Sequence, residues 1–112
     1  MEITVTQQGK VTVIAMVGAV DTLDVDQIRT ALDTQVRDGK TRLVADVGQV
    51  EYINSAGLRA MVQTLKDTTR RGGDFRLAKV GPRIQRALDI TGLTSLFKVY
   101  PDVEAAVASF AA

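Results

Sequence analysis

Apolar and polar residues alternate at the start of the chain, where Ile3 and Val5 alternate with Thr4 and Thr6. After a short polar stretch that includes Gly9, residues 11–17 form a nearly continuous run of mostly β-branched and apolar side chains. Alternation with a period of two is typical of a strand with one exposed face, whereas a continuous apolar run indicates a strand covered on both faces. The two segments predict an antiparallel hairpin whose second strand is the more buried.

After the hairpin the apolar residues follow the helical repeat of about 3.6 residues per turn. Val25 is followed by Ile28, Leu32 and Val36, so that one stripe of a helix is apolar. Gly39 is placed to end this helix, because glycine adopts the left-handed conformation that often follows a helix C-terminus. The candidate cap residues at the start of this helix are Asp21, Thr22 and Asp24.

The rest of the chain repeats a strand and a helix three times. Strands are predicted at residues 43–47, 75–80 and 97–100, and residues 48–54 are interpreted as a connector into the second helix. Glycines and prolines stand where the helices begin or end. The apolar stripes of the second, third and fourth helices are Leu58, Met61, Val62 and Leu65; Ile84, Ala87 and Leu88; and Val103, Ala106, Val107 and Phe110.

The predicted element order is β-β-α-β-α-β-α-β-α. Strands joined through single helices normally pair in parallel through right-handed crossovers. We therefore expect one α/β domain over residues 1–112, with a mixed sheet of about four to five strands packed with about four helices.

The composition excludes several classes of function. The chain has 14 Lys and Arg residues against 13 Asp and Glu residues, so it has no positive field to hold nucleic acid or an anionic membrane. Histidine and cysteine are absent, which removes the usual general base near neutral pH and all thiol chemistry. No apolar run reaches membrane-spanning length, and the first residues do not resemble a secretory signal. We expect a cytoplasmic protein that is not an enzyme, has no cofactor and is not inserted in a membrane.

The segment with the most chemical information is residues 50–59, because open α/β sheets place their working surface beyond the carboxyl ends of the strands. Ser55 falls at the entrance of the second helix, where its hydroxyl could simply cap the first turn. The small residues Ala56 and Gly57 leave that hydroxyl accessible to another protein's active site, and the helix dipole would favour a phosphate there. Arg59 is an ordinary solvated residue or indicates a negative group nearby or on a partner.

Three other motifs suggest chemistry but are interpreted as structural. Ser55 lies on a strand-to-helix turn like that of a nucleophile elbow, yet Ile53 replaces its first glycine and no histidine exists to activate the hydroxyl. Gly72 and Gly73 lack the Lys-Ser or Lys-Thr of a P-loop and predict a helix stop. The acids interpreted as helix-start residues rather than metal ligands are Asp21, Asp24 and Asp26.

Four motifs, in order along nearly the whole chain, resemble the STAS-domain anti-sigma-factor antagonists, which are bacterial proteins of partner-switching circuits. Residues 52–58 are similar to the family's phosphoacceptor motif, in which an aromatic and a hydrophobic residue precede Asp-Ser, a small residue, Gly and Leu. The other three motifs are residues 18–21 before the first helix, Gly72-Gly73 ahead of a strand, and residues 88–93 followed by Phe97.

The resemblance implies that the unphosphorylated protein binds an anti-sigma factor and thereby frees a sigma factor. The same anti-sigma factor would act as a serine kinase on Ser55, and a serine phosphatase would restore the binding form. Two positions differ from the family pattern, since Asn54 stands in place of aspartate and Ala19 in place of a common glutamate. The residues expected to bind partners are Asp21, Thr22, Asn54, Ala56, Gly57, Leu58 and Arg59.

Two other functions are compatible with the same residues. The chain could be a non-switching STAS subunit of a transport or signalling complex, in which Ser55 contacts a partner without being modified. A small-ligand binder would instead need an apolar pocket with converging polar groups, which nothing in the sequence demands. We expect a monomer when the protein is free, because no surplus apolar stripe remains unassigned.

Overall fold

The structure is a computed structural model that describes residues 1–111, and its elements follow the predicted order. The strands are β1 (Glu2–Gln8), β2 (Val11–Val20), β3 (Arg42–Ile53), β4 (Asp74–Ala78) and β5 (Val99–Tyr100). The helices are α1 (Val25–Arg37), α2 (Ser55–Arg70), α3 (Pro82–Ile90) and α4 (Val103–Ala108).

The five strands form one mixed sheet in the order β1-β2-β3-β4-β5. β1 pairs antiparallel with β2, and each later strand pairs in parallel with the one before it. The predicted hairpin and the parallel crossovers are therefore confirmed. The hairpin turn needs a glycine, because Gly9 has a φ of +62°.

Helices cover both faces of the sheet. Successive residues on a strand point to opposite faces. Ile14, Leu43 and Phe75 lie in the larger apolar cluster, with buried residues of α1, α2 and α3. Val13 and Val44 point the other way and pack with α4. Coverage on both faces explains why β2 begins as a continuous apolar run rather than an alternating one.

The predicted helical stripes lie where expected, except that α4 ends at Ala108, so Phe110 packs against the sheet from beyond the end of the helix. The stripe of α1 is buried along its whole length, from Val25 to Val36. In α2, Leu58 and Met61 are buried and the other two predicted positions are half-buried. Two threonines extend this face, and each donates its hydroxyl proton to the carbonyl oxygen four residues earlier, which allows them to be buried. These threonines are Thr64 and Thr68.

The interpretation of residues 48–54 as a connector is wrong, because β3 continues to Ile53. After Asp46, β3 no longer pairs with β4 and is paired only with β2. The register of β3 against β2 shifts twice in this part, between Ala15 and Val17 and between Gly18 and Ala19 of β2. Each shift adds one unpaired residue to β3. The apolar and polar residues of this part of β3 therefore neither alternate nor form a continuous apolar run. β3 therefore carries the chain directly to the start of α2.

Two predicted strands are shorter than expected. β4 ends at Ala78, because Lys79 takes a left-handed conformation with a φ of +60°. β5 begins only at Val99. Phe97 instead fills the core, with its ring centroid 6.1 Å from that of Phe75 in an edge-to-face arrangement.

The glycine pair after α2 has two separate structural roles. Gly72 has a φ of +84° and open space around the position of a Cβ atom. At Gly73 a Cβ atom would lie 1.9 Å from the backbone oxygen of Thr41. That oxygen accepts a hydrogen bond from the N–H of Asp74 at 2.9 Å. The pair therefore ends the helix and lays the chain against the start of β3.

Candidate functional site

The end of β2 and the end of β3 lie side by side at the carboxyl edge of the parallel strands. Val20 pairs with Ile53, and the N–H of Asn54 donates to the carbonyl oxygen of Val20 at 3.0 Å. The loop that begins at Asp21 therefore runs beside the first turn of α2, which begins at Ser55. The loop that begins at Asp21 and the helix start at Ser55, which were predicted separately from the sequence, therefore lie at one surface.

Asn54, not Ser55, caps the second helix. Its backbone is extended and its side-chain oxygen accepts a hydrogen bond from the N–H of Gly57 at 2.8 Å. Its carbonyl oxygen accepts a second bond from the N–H of Leu58 at 3.0 Å. The interpretation of Ser55 as the cap is wrong, because Ser55 is already the first helical residue. Because Asn54 is the cap, the hydroxyl of Ser55 does not cap the helix. Ser55 is also exposed, so its hydroxyl is accessible for another interaction.

Gly57 and Leu58 face the interior, although both were expected in the partner-binding surface. Leu58 is 3% exposed and belongs to the main apolar cluster. A Cβ atom at Gly57 would lie 2.8 Å from Val20 Cγ1 and 2.9 Å from Ile53 Cγ1. Their expected place in the partner-binding surface is therefore corrected: Gly57 and Leu58 pack the first turn of α2 against the strand ends and so determine where Ser55 lies.

The remaining predicted residues of α2 lie at its surface. Ala56 is half-buried beside the core, and Arg59 is exposed one helical turn after Ser55. Because α2 begins at Ser55, Arg59 is its fifth residue rather than part of its first turn. Within residues 1–111 no carboxylate lies within ion-pairing distance of Arg59. Within these residues Arg59 is therefore a solvated side chain, which is the first of the two interpretations that the sequence left open.

The loop between β2 and α1 is held by its own polar groups. The side chain of Asp21 accepts a hydrogen bond from the N–H of Leu23 at 3.0 Å, and its carbonyl oxygen accepts one from the N–H of Asp24, also at 3.0 Å. Asp24 occupies the cap position of α1 but makes no side-chain cap bond, and Thr22 is exposed. Hydrogen bonding to Asp21, first through its side chain and then through its backbone, lowers the pKa of Asp24 from 3.8. The loop thus presents a fixed shape and acidic groups at the same edge of the sheet as Ser55.

Two apolar side chains of this surface were missed in the sequence. Leu23 is 89% exposed at the tip of the loop, and Tyr52 is 54% exposed two residues before the capping asparagine. Tyr52 had a signal in the sequence, because it is the first residue of the phosphoacceptor-like motif, whereas Leu23 is an isolated leucine among polar residues and belongs to no periodic pattern. Leu23 is thus an exposed apolar side chain on a loop that is fixed by hydrogen bonds.

The described residues contain no cluster that could ligate a metal, since no three Asp and Glu side chains within residues 1–111 come together suitably. Over the same residues, no helix has the length and apolar character needed to cross a bilayer. The carboxyl edge therefore carries the exposed hydroxyl of Ser55 at a helix start, the acidic loop that begins at Asp21, and the exposed side chains of Leu23 and Tyr52.

Comparisons with known proteins agree with this geometry. The STAS domain family model matches residues 2–106. BtrV of Bordetella bronchiseptica, named as a candidate anti-sigma factor antagonist, is 31% identical over 110 residues, which are 98% of this chain and 95% of BtrV. The crystal structure of an anti-sigma factor antagonist from Mycobacterium paratuberculosis is 26% identical, with a TM-score of 0.90 over 99% of this chain and 94% of that one.

A third match is SpoIIAA of Bacillus, whose structure is known with and without phosphorylation. Its unphosphorylated form has a TM-score of 0.83 over 96% of this chain and 95% of that one. The sequence identity of 18% makes this a likeness of fold. Because the family model covers nearly all of the sequence, and the similarity to anti-sigma factor antagonists extends equally far, the protein is a member of the STAS domain family.

Proposed function

We propose that this protein is an anti-sigma factor antagonist that binds an anti-sigma factor through the carboxyl edge of its sheet and is released when Ser55 is phosphorylated. The observation that carries the proposal is the exposed position of Ser55 at the first residue of α2. The capping role belongs to Asn54, so a phosphate on Ser55 would not break the cap. The phosphorylated form of SpoIIAA supports the idea that a chain of this fold can carry a phosphate.

The binding surface in this proposal consists of the first turn of α2, the loop of Asp21 and Thr22, and the two exposed apolar residues Leu23 and Tyr52. An apolar pocket on the anti-sigma factor receives Leu23, because a rigid loop loses little conformational entropy on binding. Asn54 and Ala56 line the approach to Ser55 without bulk or charge. Asn54 stands where the family pattern has aspartate, and this difference changes the charge of the surface but not its shape.

Phosphorylation acts in this proposal through charge. A phosphate adds about −1.5 to −2 charges to the start of α2, which the hydrogen bond from the Asn54 N–H to the carbonyl oxygen of Val20 holds next to the loop that begins at Asp21. Burying that charge in an interface without a paired cation costs several kcal/mol. A complex of micromolar to nanomolar affinity is stabilised by about 8 to 12 kcal/mol, so the loss is large enough to release the partner. A serine kinase and a serine phosphatase, the kinase being the anti-sigma factor itself, set the phosphorylation state.

The test is a binding assay with a serine-kinase anti-sigma factor encoded in the same genome. The unmodified protein and Ser55→Ala are expected to bind, whereas Ser55→Asp and the phosphorylated protein lose at least about tenfold in affinity. Mass spectrometry after incubation with the kinase and ATP should show one added phosphate, absent in Ser55→Ala. Unchanged affinity of the phosphorylated protein would refute the switch.

A second pair of variants tests the surface. Leu23→Ser is expected to weaken binding by about tenfold or more, because it removes an apolar anchor. Ile90→Ser is the matched control, since Ile90 is 74% exposed at the far end of α3. Equal effects of the two substitutions would show that the partner does not use the loop of Leu23.

A further inference from the structure

The outer edge of β1 carries a short run of backbone groups that point away from the sheet. β1 and β2 are joined by a two-residue turn between Gln8 and Val11. In such a hairpin the closing residues form a hydrogen-bonded pair, and every second pair along the ladder does so too. Glu2, Thr4, Thr6 and Gln8 therefore bond to β2, whereas the backbone N–H and C=O groups of the residues between them point outward. These residues are Ile3, Val5 and Gln7.

The free run has defined ends. The carbonyl oxygen of Met1 accepts a hydrogen bond from Gln27 Nε2 at 3.1 Å, and the carbonyl oxygen of Gly9 accepts one from Gln7 Nε2 at 3.0 Å. Both are at odd-numbered positions, like the outward-facing residues. The internal bonds thus close the edge at each end and leave open a segment that is symmetric about Val5.

Three of the usual protections of a sheet edge are missing from this strand. β1 contains no lysine or proline, and its register with β2 has no bulge. Proteins commonly use these devices to prevent pairing with another strand. Val5 is 41% exposed, and a groove beside it is lined by Ile3, Asp26, Gln27, Thr30 and Ala31. The outer edge of β1 between Ile3 and Gln7 is therefore open to pairing with another strand.

We propose that two copies of the chain associate through antiparallel pairing of their β1 strands, with Val5 on the two-fold axis. Val5 then lies opposite Val5 of the second copy, and Ile3 lies opposite Gln7 of the second copy. All the outward groups are satisfied by about six backbone hydrogen bonds. The two sheets become one continuous sheet.

Charge supports the antiparallel orientation with a second copy as the occupant. Glu2 stands at one end of β1 and Lys10 in the turn at the other end. Antiparallel pairing brings each Glu2 to the end that carries Lys10 of the second copy, whereas parallel pairing would bring like charges together. The surface is separate from Ser55, so this inference does not depend on the proposed function.

The interface is small, so the association is weak. An edge contact of one strand lies at the low end of interface sizes, and we expect a dissociation constant of about 10–100 μM. The protein is a monomer at low micromolar concentration and a dimer near millimolar concentration. Sedimentation velocity over this range measures the change in mass.

Hydrogen exchange identifies the surface. At millimolar concentration the amides of Ile3, Val5 and Gln7 should exchange at least about tenfold more slowly than at low micromolar concentration. The amides of Thr4 and Thr6 face β2 and should be protected equally at both concentrations. This alternation is specific to pairing along the outer edge of β1.

Substitutions complete the test. Val5→Pro removes an outward N–H without removing a bond to β2, and Val5→Lys places a charge on the axis; both should remain monomeric at millimolar concentration. Val17→Lys is the control, because Val17 is similarly exposed at 37% but lies on β2, and it should dimerise normally. A monomer at millimolar concentration, a dimer without the alternating protection, or a dimer that persists in both Val5 variants would each overturn the proposal.

Discussion

The cap of α2 gives the sharpest test of how the site is built. Asn54→Ala removes the 2.8 Å hydrogen bond from the N–H of Gly57, and Gly57 is buried, so that N–H loses its acceptor without gaining water. The loss of a cap and of a buried bond costs about 1–2 kcal/mol in the free energy of unfolding. For a domain of this size the melting temperature should fall by about 4–8 °C.

Asn54→Asp keeps the acceptor and places a negative charge at the positive end of the helix. We expect it to stabilise the protein by about 0.3–1 kcal/mol at pH 7. The helix start lowers the pKa of the new carboxylate, so this gain should disappear as the pH falls below about 4. The contrast between the two substitutions separates the hydrogen bond from the charge.

The assay is urea denaturation followed by circular dichroism, with Ser55→Ala as the comparison. Ser55 is exposed and caps nothing, so its removal should change stability by less than about 0.5 kcal/mol. If Ser55→Ala is as destabilising as Asn54→Ala, or if Asn54→Ala is neutral, the assignment of the cap to Asn54 is wrong. The accessible hydroxyl on which the proposed switch depends would then be in doubt as well.

Four further substitutions test the fold by denaturation. Gly73→Ala should cost more than about 3 kcal/mol, because its Cβ atom would overlap a backbone oxygen, whereas Gly72→Ala should cost only about 1–2 kcal/mol of left-handed strain. Lys79→Gly should stabilise the protein by up to about 1 kcal/mol, and a loss of stability would contradict strain at its φ of +60°. Hydrogen bonds from Thr94, and to a smaller extent from Gln85, lower the pKa of Asp89 from 3.8. These bonds therefore stabilise the fold above pH 3.8, and their contribution is lost as the pH falls through the lowered pKa. The stability deficit of Asp89→Asn should therefore shrink below pH 3.8, and a deficit independent of pH would contradict this cause.

The periodic parts of the sequence predicted the fold well. The stripe from Val25 to Val36 is buried as expected, because a helix with one apolar face has only one way to pack on a sheet. Residues 48–54 were misjudged because the bulges in their pairing with β2 break the alternation that identifies a strand. The end of β4 was also missed, since a lysine in a left-handed conformation has no sequence signal of its own.

The candidate site was predicted in part. The sequence identified the segment around Ser55 but could not decide which of two adjacent polar residues caps the helix, because asparagine and serine are both good caps. The backbone conformation decided it, since the extended residue is Asn54. Leu58 was predicted both in the apolar stripe of α2 and in the partner-binding surface, because a short motif does not state which helical face its residues occupy; the structure places it in the core. Leu23 was passed over because a single leucine does not form a pattern.

The position of Ser55 lets the proposed switch act on binding without acting on folding. The first turn of α2 is held from the inside, by Gly57 against Val20 and Ile53 and by the cap bond of Asn54, and none of these contacts involves the serine hydroxyl. A phosphate at a helix start changes the stability of the fold by about 1 kcal/mol or less, and in the favourable direction. The same phosphate costs several kcal/mol in a closed interface, which is a factor of a hundred or more in affinity. This difference in energy means that modified protein should remain folded, and therefore available to a phosphatase, throughout the time that it is unable to bind.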